Sequence, residues 1–187
     1  MENRLIIIYT DNKTEKKMEA RTVKLYSLGY GEMKSYLVAA LFAIGNILLP
    51  QMFHLIHQGG MIWLPIYFFT LVGAYKYGWR VGLLVAVLSP LANSALFSMP
   101  APAVLPAIIM KSVLLALAAG FASARYRKAT LLLLALVVLC YQTAGTLGEW
   151  VMTGSLLAAA QDFRIGIPGM LLQVFGGWVF INRIIRR

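Results

Sequence analysis

The sequence is poor in charged residues and almost free of cysteine. Only 13% of its 187 residues are Asp, Glu, Lys or Arg, and Cys140 is the single cysteine. One cysteine forms neither an intrachain disulfide nor a cysteine-based metal site. The motifs of P-loop ATPases (G-x-x-x-x-G-K-[ST]), zinc proteases (H-E-x-x-H) and serine hydrolases (G-x-S-x-G) are also missing. We therefore expect no enzyme, no cofactor and no metal site.

In place of charge, the chain has hydrophobic residues, which make up 60% of it. That composition is too apolar for a soluble domain. A helix needs about 20 residues to cross a bilayer core of about 30 Å, so this length fits roughly six spans with no large extramembrane domain. We expect an all-α integral membrane protein in contact with lipid.

Six apolar segments follow a polar N-terminal region, residues 1–34, which has no signal-peptide core and is expected to be a cytoplasmic tail. Because Met18 and Met33 lie inside this tail, a later start would leave residues 1–17 out of the natural product. Residues 35–187 form the predicted transmembrane domain. The predicted spans are 35–56, 61–77, 80–98, 103–124, 130–153 and 165–185.

The basic residues indicate the orientation of these spans. All but two of the 17 Lys and Arg residues fall in the tail, after span 2, after span 4 or at the end, and of the opposite connections only the third carries one, Arg164. By the positive-inside rule, both termini are cytoplasmic in a six-helix bundle of the inner (cytoplasmic) membrane. Because the net charge of +10 is spread over these connections, we expect no nucleic-acid partner.

Lys111 is the one Lys or Arg residue that lies deep inside a predicted span, since the others within the spans lie near their ends. Nine residues separate it from Pro102, which places it roughly 13 Å below the outer surface. A cation at that depth needs an acidic partner, a helix-end carbonyl or an anionic ligand. Two interpretations stay open: Lys111 lines a pocket, or it forms a structural ion pair with Glu149.

Other polar side chains are predicted at a similar depth. Gln142, Thr146 and Glu149 share one face of span 5, and Gln173 lies about 12 Å below the outer end of span 6. Asn93 occupies the outer half of span 3. The predicted substrate-binding residues are Asn93, Lys111, Gln142, Glu149 and Gln173. The alternative is that the amides only hold helices together.

Two further patterns concern the ends of the first two spans. His54 and His57 form a His-x-x-His pair, but without Cys, Asp or Glu nearby they do not complete a metal site. We interpret His57 and Trp63 as interfacial groups that could act as a substrate lid. Ala39 and Ala43 form a small-xxx-small pair that lets another helix approach closely, either from the bundle or from a partner protein.

The membrane part resembles the substrate-binding S components of energy-coupling factor (ECF) vitamin transporters. The resemblance covers residues 35–187 and rests on five strings of sequence. They are Ala39–Ala43, Gly59–Pro65, Tyr77–Leu84, Leu88–Asn93 continuing to Ser98-Met99-Pro100, and the Gly-x-Pro-Gly-x-x-x-Gln string Gly166–Gln173. The span 3 string with Met-Pro and the last string are the most specific.

The resemblance implies a non-enzymatic protein that binds a vitamin or vitamin precursor in its outer half. It also implies that Ala39 and Ala43 contact a membrane T component driven by two cytosolic ATPases, and that the protein topples to release substrate inward. Relatives often carry a glutamate in span 4 where this chain has Lys111, so a Lys111 that faces the pocket predicts an anionic ligand. The nickel and cobalt branch is disfavoured because its N-terminal histidine is missing.

Two other classes of function stay open. A six-span protein that binds a membrane partner predicts that Lys111 and Glu149 pair with each other and that no outward cavity exists. A membrane enzyme would need Lys111, Glu149 or the histidines in reacting geometry, and the missing motifs disfavour it.

Overall fold

The computed structural model describes residues 25–185, and the regular elements of that part of the chain are helical. The predicted N-terminal tail therefore lies mostly outside the described residues, including the question about residues 1–17, as do Arg186 and Arg187. In chain order the helices are α1 (Met33–Phe53), α2 (Gly59–Trp63), α3 (Phe68–Tyr77), α4 (Trp79–Phe97), α5 (Leu105–Tyr126), α6 (Leu131–Thr153), α7 (Leu156–Ala159), α8 (Gln161–Ile165) and α9 (Ile167–Ile184).

Among the described residues, five helices are long and apolar enough to cross a membrane: α1, α4, α5, α6 and α9. Large apolar side chains remain exposed along them, for example Leu41, Leu88, Phe121 and Leu132. Such continuous apolar surface is favourable against lipid and costly against water. The helices also satisfy their own backbone hydrogen bonds, which lipid cannot do. The chain is therefore a multi-pass membrane protein.

The second predicted span is not one helix. Helix α2 ends at Leu64, whose backbone is left-handed (φ 46°), and a 3₁₀ turn over Pro65–Tyr67 leads into α3. Proline disfavours helical geometry at the residue before it and lacks an N–H, so Pro65 explains the break. The prediction of a continuous helix over 61–77 is wrong in this respect, because one proline outweighs the apolar pattern around it.

A buried polar network joins α1, α3 and α4. Pro50 has no N–H, so the carbonyl oxygen of Asn46, four residues earlier, loses its helical donor. Asn93 Nδ2 of α4 donates to that oxygen at 2.9 Å. The Asn46 amide in turn donates to Thr70 Oγ1 at 2.9 Å and to Ser89 Oγ at 3.2 Å. Interhelical bonds of this kind hold apolar helices in register where no water competes.

The opposite end of the bundle gathers most of the described basic residues. Tyr75 Oη donates to the carbonyl oxygen of Lys128 at 2.7 Å, and Asn182 Nδ2 donates to that of Ala129 at 3.2 Å. These bonds bring the end of α3, which carries Lys76, together with the α5–α6 connection and the end of α9. The connections that the sequence assigned to one side thus meet at one end.

Candidate binding site

Lys111 is bound to two carboxylates at the end of the bundle away from these basic residues. Its Nζ lies 2.5 Å from Glu149 Oε2 and 2.7 Å from Asp162 Oδ2. The Lys111 side chain is only 4% exposed, whereas those of Glu149 and Asp162 are 18% and 15% exposed. We call these three residues the Lys111 cluster. With one cation and two carboxylates, the cluster has a formal charge of minus one.

A glycine makes room for the lysine between two spans. Helix α5 begins at Leu105, so Lys111 lies six residues, or about 9 Å, along the helix. On the facing helix α6, a Cβ added to Gly145 would lie 2.6 Å from Lys111 Cγ. Glu149 follows Gly145 by four residues and therefore projects from the same face one turn later. Gly145 thus leaves space for the aliphatic part of Lys111, and Glu149, one turn later, pairs with its ammonium group.

The second carboxylate comes from the connection between α6 and α9. Gly154 ends α6 with a positive φ of 68°, and the hydroxyl of Ser155 caps the short helix α7. Helix α8 then places Asp162 over Lys111. The connection returns close to α2, because Gln161 Nε2 of α8 donates to Met61 Sδ at 2.8 Å. Sequence reasoning missed Asp162, since no local pattern shows that a residue of this connection faces the bundle.

Next to the Lys111 cluster, buried amides lack partners. Gln142 is fully buried, and neither its Nε2 nor its Oε1 is hydrogen-bonded to any described residue. Gln173 Oε1 accepts from Tyr141 Oη at 2.9 Å, but Gln173 Nε2 has no described partner, and neither has Thr146 Oγ1. An unpaired buried polar group costs on the order of 1–3 kcal/mol. We therefore expect a bound molecule or water to hydrogen-bond these atoms.

These groups are arranged around one face of α6. Gln142, Thr146 and Glu149 lie on that face at helical spacing, and Tyr141 beside them reaches Gln173 on α9. Gln173 lies in a π-helical stretch, Leu172–Gly176, a local widening that is frequent at functional sites. The rings of Tyr141 and Tyr67 pack with centroids 5.6 Å apart. The sequence prediction included neither tyrosine.

Four of the five predicted substrate-binding residues thus belong to one region, and Asn93 does not. Asn93 Nδ2 donates to the carbonyl oxygens of Asn46 and Ser89, and Gln51 Nε2 donates to Asn93 Oδ1 at 3.4 Å. These contacts place Asn93 in the network that joins α1 and α4. Depth in the membrane was predicted from residue counting, but the direction in which Asn93 points was not.

The predicted lid residues lie beside a separate groove of about 520 Å³ at the same end. His57 is exposed and lines this groove, whereas Trp63 stacks on Phe53 with ring centroids 5.5 Å apart. The Lys111 cluster is not part of the groove lining. The walls of the groove are largely apolar and include Pro50, His54, Met61, Pro100, Val104 and Ile108. Asp162 of α8, and neither predicted lid residue, contacts Lys111, and a lid role for His57 and Trp63 stays a prediction.

Ala39 and Ala43, the predicted partner-binding pair, are buried against the chain's own core. Between them Phe42 packs towards α3, where a Cβ on Gly73 would lie 3.5 Å from its ring. The exposed face of α1 carries larger side chains, such as Leu41. The close approach that the small-residue pair allows is used inside this chain, and a role in partner binding stays a prediction.

No metal centre is built from the described residues, since no group of three or more His, Cys, Asp or Glu side chains comes together among residues 25–185. Comparison of the chain with family models, with curated proteins and with solved structures finds no match. The resemblance to S components therefore rests on the sequence strings alone.

Proposed function

We propose that this protein binds a small polar molecule inside its membrane bundle and acts as the substrate-specific S component of an ECF-type importer. The observation that carries the proposal is the pair of buried amides, Gln142 and Gln173, with unpaired atoms beside the Lys111 cluster. A bound molecule supplies the missing hydrogen bonds and offsets the cost of burying these groups.

In this proposal six spans cross the cytoplasmic membrane, with α2 and α3 together forming the second, and both termini are cytoplasmic. The substrate, a vitamin or vitamin precursor, enters from the outside and is covered by the connection that carries Asp162. A T component and two cytosolic ATPases drive release inward. The chain binds and delivers its substrate without chemical change.

The contacts of Lys111 favour a second candidate function. Because Lys111 is paired with Glu149 and Asp162, the cluster is also what a purely structural ion-pair network would show. A six-span protein that binds a membrane partner needs no ligand. The unpaired amides favour the binding protein, because a purely structural network would satisfy them within the chain.

Native mass spectrometry of the protein purified from its host membrane tests the proposal. We expect one small molecule per wild-type chain, released by gentle collisional activation, and much lower occupancy in Gln142→Leu. The matched control is Thr143→Val on the exposed face of the same helix, which should keep the wild-type occupancy. Chains that are empty in every preparation and that no vitamin stabilises against heat would contradict the proposal and support the partner-binding alternative.

A further inference from the structure

We infer that the molecule bound at the Lys111 cluster is an organic cation, an inference that rests on the proposed function and names its substrate class. The resemblance predicted an anionic ligand only if Lys111 faces the pocket, and the sequence left open that Lys111 pairs with Glu149. The structure changes the charge of the site, because Lys111 already has two carboxylate partners.

The free hydrogen-bonding capacity of the cluster belongs mainly to its carboxylates. Lys111 binds one oxygen of each, Glu149 Oε2 and Asp162 Oδ2. The other oxygens, Glu149 Oε1 and Asp162 Oδ1, form no hydrogen bond with any residue that the structure describes. Both side chains are partly exposed, at 18% for Glu149 and 15% for Asp162. An ammonium or similar cationic group fits two such acceptors, and an anion does not.

No other described cation balances the second carboxylate. Arg164, on the same connection as Asp162, is exposed and forms no ion pair with a described residue. His54 and His57 line the separate groove. A net negative charge in a poorly solvated site costs free energy unless a positive charge compensates it. The electrostatic part of the binding free energy is therefore favourable for a cationic ligand and unfavourable for an anionic one.

The unpartnered amides provide an independent indication of a ligand. They also indicate which uncharged hydrogen-bonding groups it carries. Gln142, fully buried on the α6 face that carries Glu149, offers both a donor and an acceptor, and Gln173 Nε2 offers a donor. A molecule that satisfies all of them carries neutral hydrogen-bonding groups of both kinds in addition to its positive charge. A bare metal ion or a simple alkylammonium would leave the amides unpaired.

Charge variants combined with identification of the bound molecule test this inference. The probe is the molecule that wild-type protein releases in the mass spectrometer, whose accurate mass and fragmentation give its composition and charge. We expect an organic cation whose affinity falls at least about tenfold in Glu149→Gln and in Asp162→Asn. Lys111→Met should retain it, because that change makes the site more negative. The control is Glu32→Gln, an exposed carboxylate beside the start of α1 at the opposite end.

The outcomes separate this inference from the proposed function. A bound anion, or a molecule lost in Lys111→Met and held more tightly in Glu149→Gln, overturns the inference and leaves the binding function standing. A cation whose affinity neither carboxylate variant changes also overturns it. If Lys111→Met does not fold, the two carboxylate variants decide alone. An empty wild-type chain overturns the proposed function, and the inference with it.

Discussion

Lys111 on α5 and Asp162 on α8 lie 2.7 Å apart, although 51 positions separate them in the sequence. Their ion pair ties the α6–α9 connection to the interior of the bundle. The pair therefore joins a buried polar site to the segment that covers it.

Removing Lys111 should destabilise the protein more than removing either carboxylate. Lys111→Met leaves two carboxylates close together without a cation, and we expect a loss of about 2–4 kcal/mol in the free energy of unfolding. Asp162→Asn leaves the Lys111–Glu149 pair intact and should cost about 1 kcal/mol. Thermal unfolding in detergent measures both, and equal losses would contradict this order.

Gln142→Leu should stabilise the ligand-free protein. In the absence of a ligand, both polar atoms of the Gln142 amide are buried without a described partner, and leucine of similar size removes that cost of about 1–3 kcal/mol. We expect a higher melting temperature than that of wild-type protein washed free of small molecules. A lower melting temperature would show that Gln142 is satisfied within the chain or by tightly held water.

Gly145→Val should disturb the site directly, because its side chain would occupy the space of the Lys111 stem. We expect loss of the bound molecule and a destabilisation of about 1–3 kcal/mol from overpacking. Gly148→Ala is the matched control on the same helix, since its Cβ would meet only the flexible end of Met110. Similar losses of bound molecule and of stability in the two variants would argue against the close packing of Lys111 on Gly145.

Asn93→Leu should lower stability without altering the binding site. The change removes the donor to the carbonyl oxygen of Asn46 that Pro50 leaves unpaired, at a cost of about 1–3 kcal/mol. Folded Asn93→Leu protein should retain the bound molecule at wild-type occupancy. Selective loss of the molecule, with stability unchanged, would return Asn93 to the site that the sequence predicted for it.

The proposed topology predicts which single cysteines react from outside the cell. In a Cys140→Ser background, Met99→Cys should be labelled by a membrane-impermeant maleimide in intact cells. Lys128→Cys should be labelled only after the cells are opened. Both positions are exposed in the structure. The reverse pattern would invert the orientation, and labelling of both from one side would remove the crossing assigned to α5.

Periodicity predicted the parts of this structure that depend on one helix. Helical spacing placed Gln142 and Glu149 on one face of α6, and the depth of Lys111 indicated that it needs an acidic partner, a helix-end carbonyl or an anionic ligand. Hydropathy predicted six spans, and five of them correspond to the long helices α1, α4, α5, α6 and α9.

The missed features depend on how distant segments meet. Asp162 reaches Lys111 only because a connection folds back over the bundle, and spacing in sequence carries no such information. Asn93 was assigned to the site by depth, whereas its direction follows from the carbonyl oxygen that Pro50 frees four residues earlier. The prediction of span 2 followed the apolar run and gave Pro65 too little weight. In the structure, Pro65 breaks the helix at Leu64.

A structure of the protein purified from its host membrane, with its bound molecule retained, would test the binding site directly. We expect density for one small molecule within hydrogen-bond distance of Gln142 and Gln173, with a positively charged group against Glu149 and Asp162. A site that holds no molecule, with both amides bonded to other groups of the chain, would contradict this expectation.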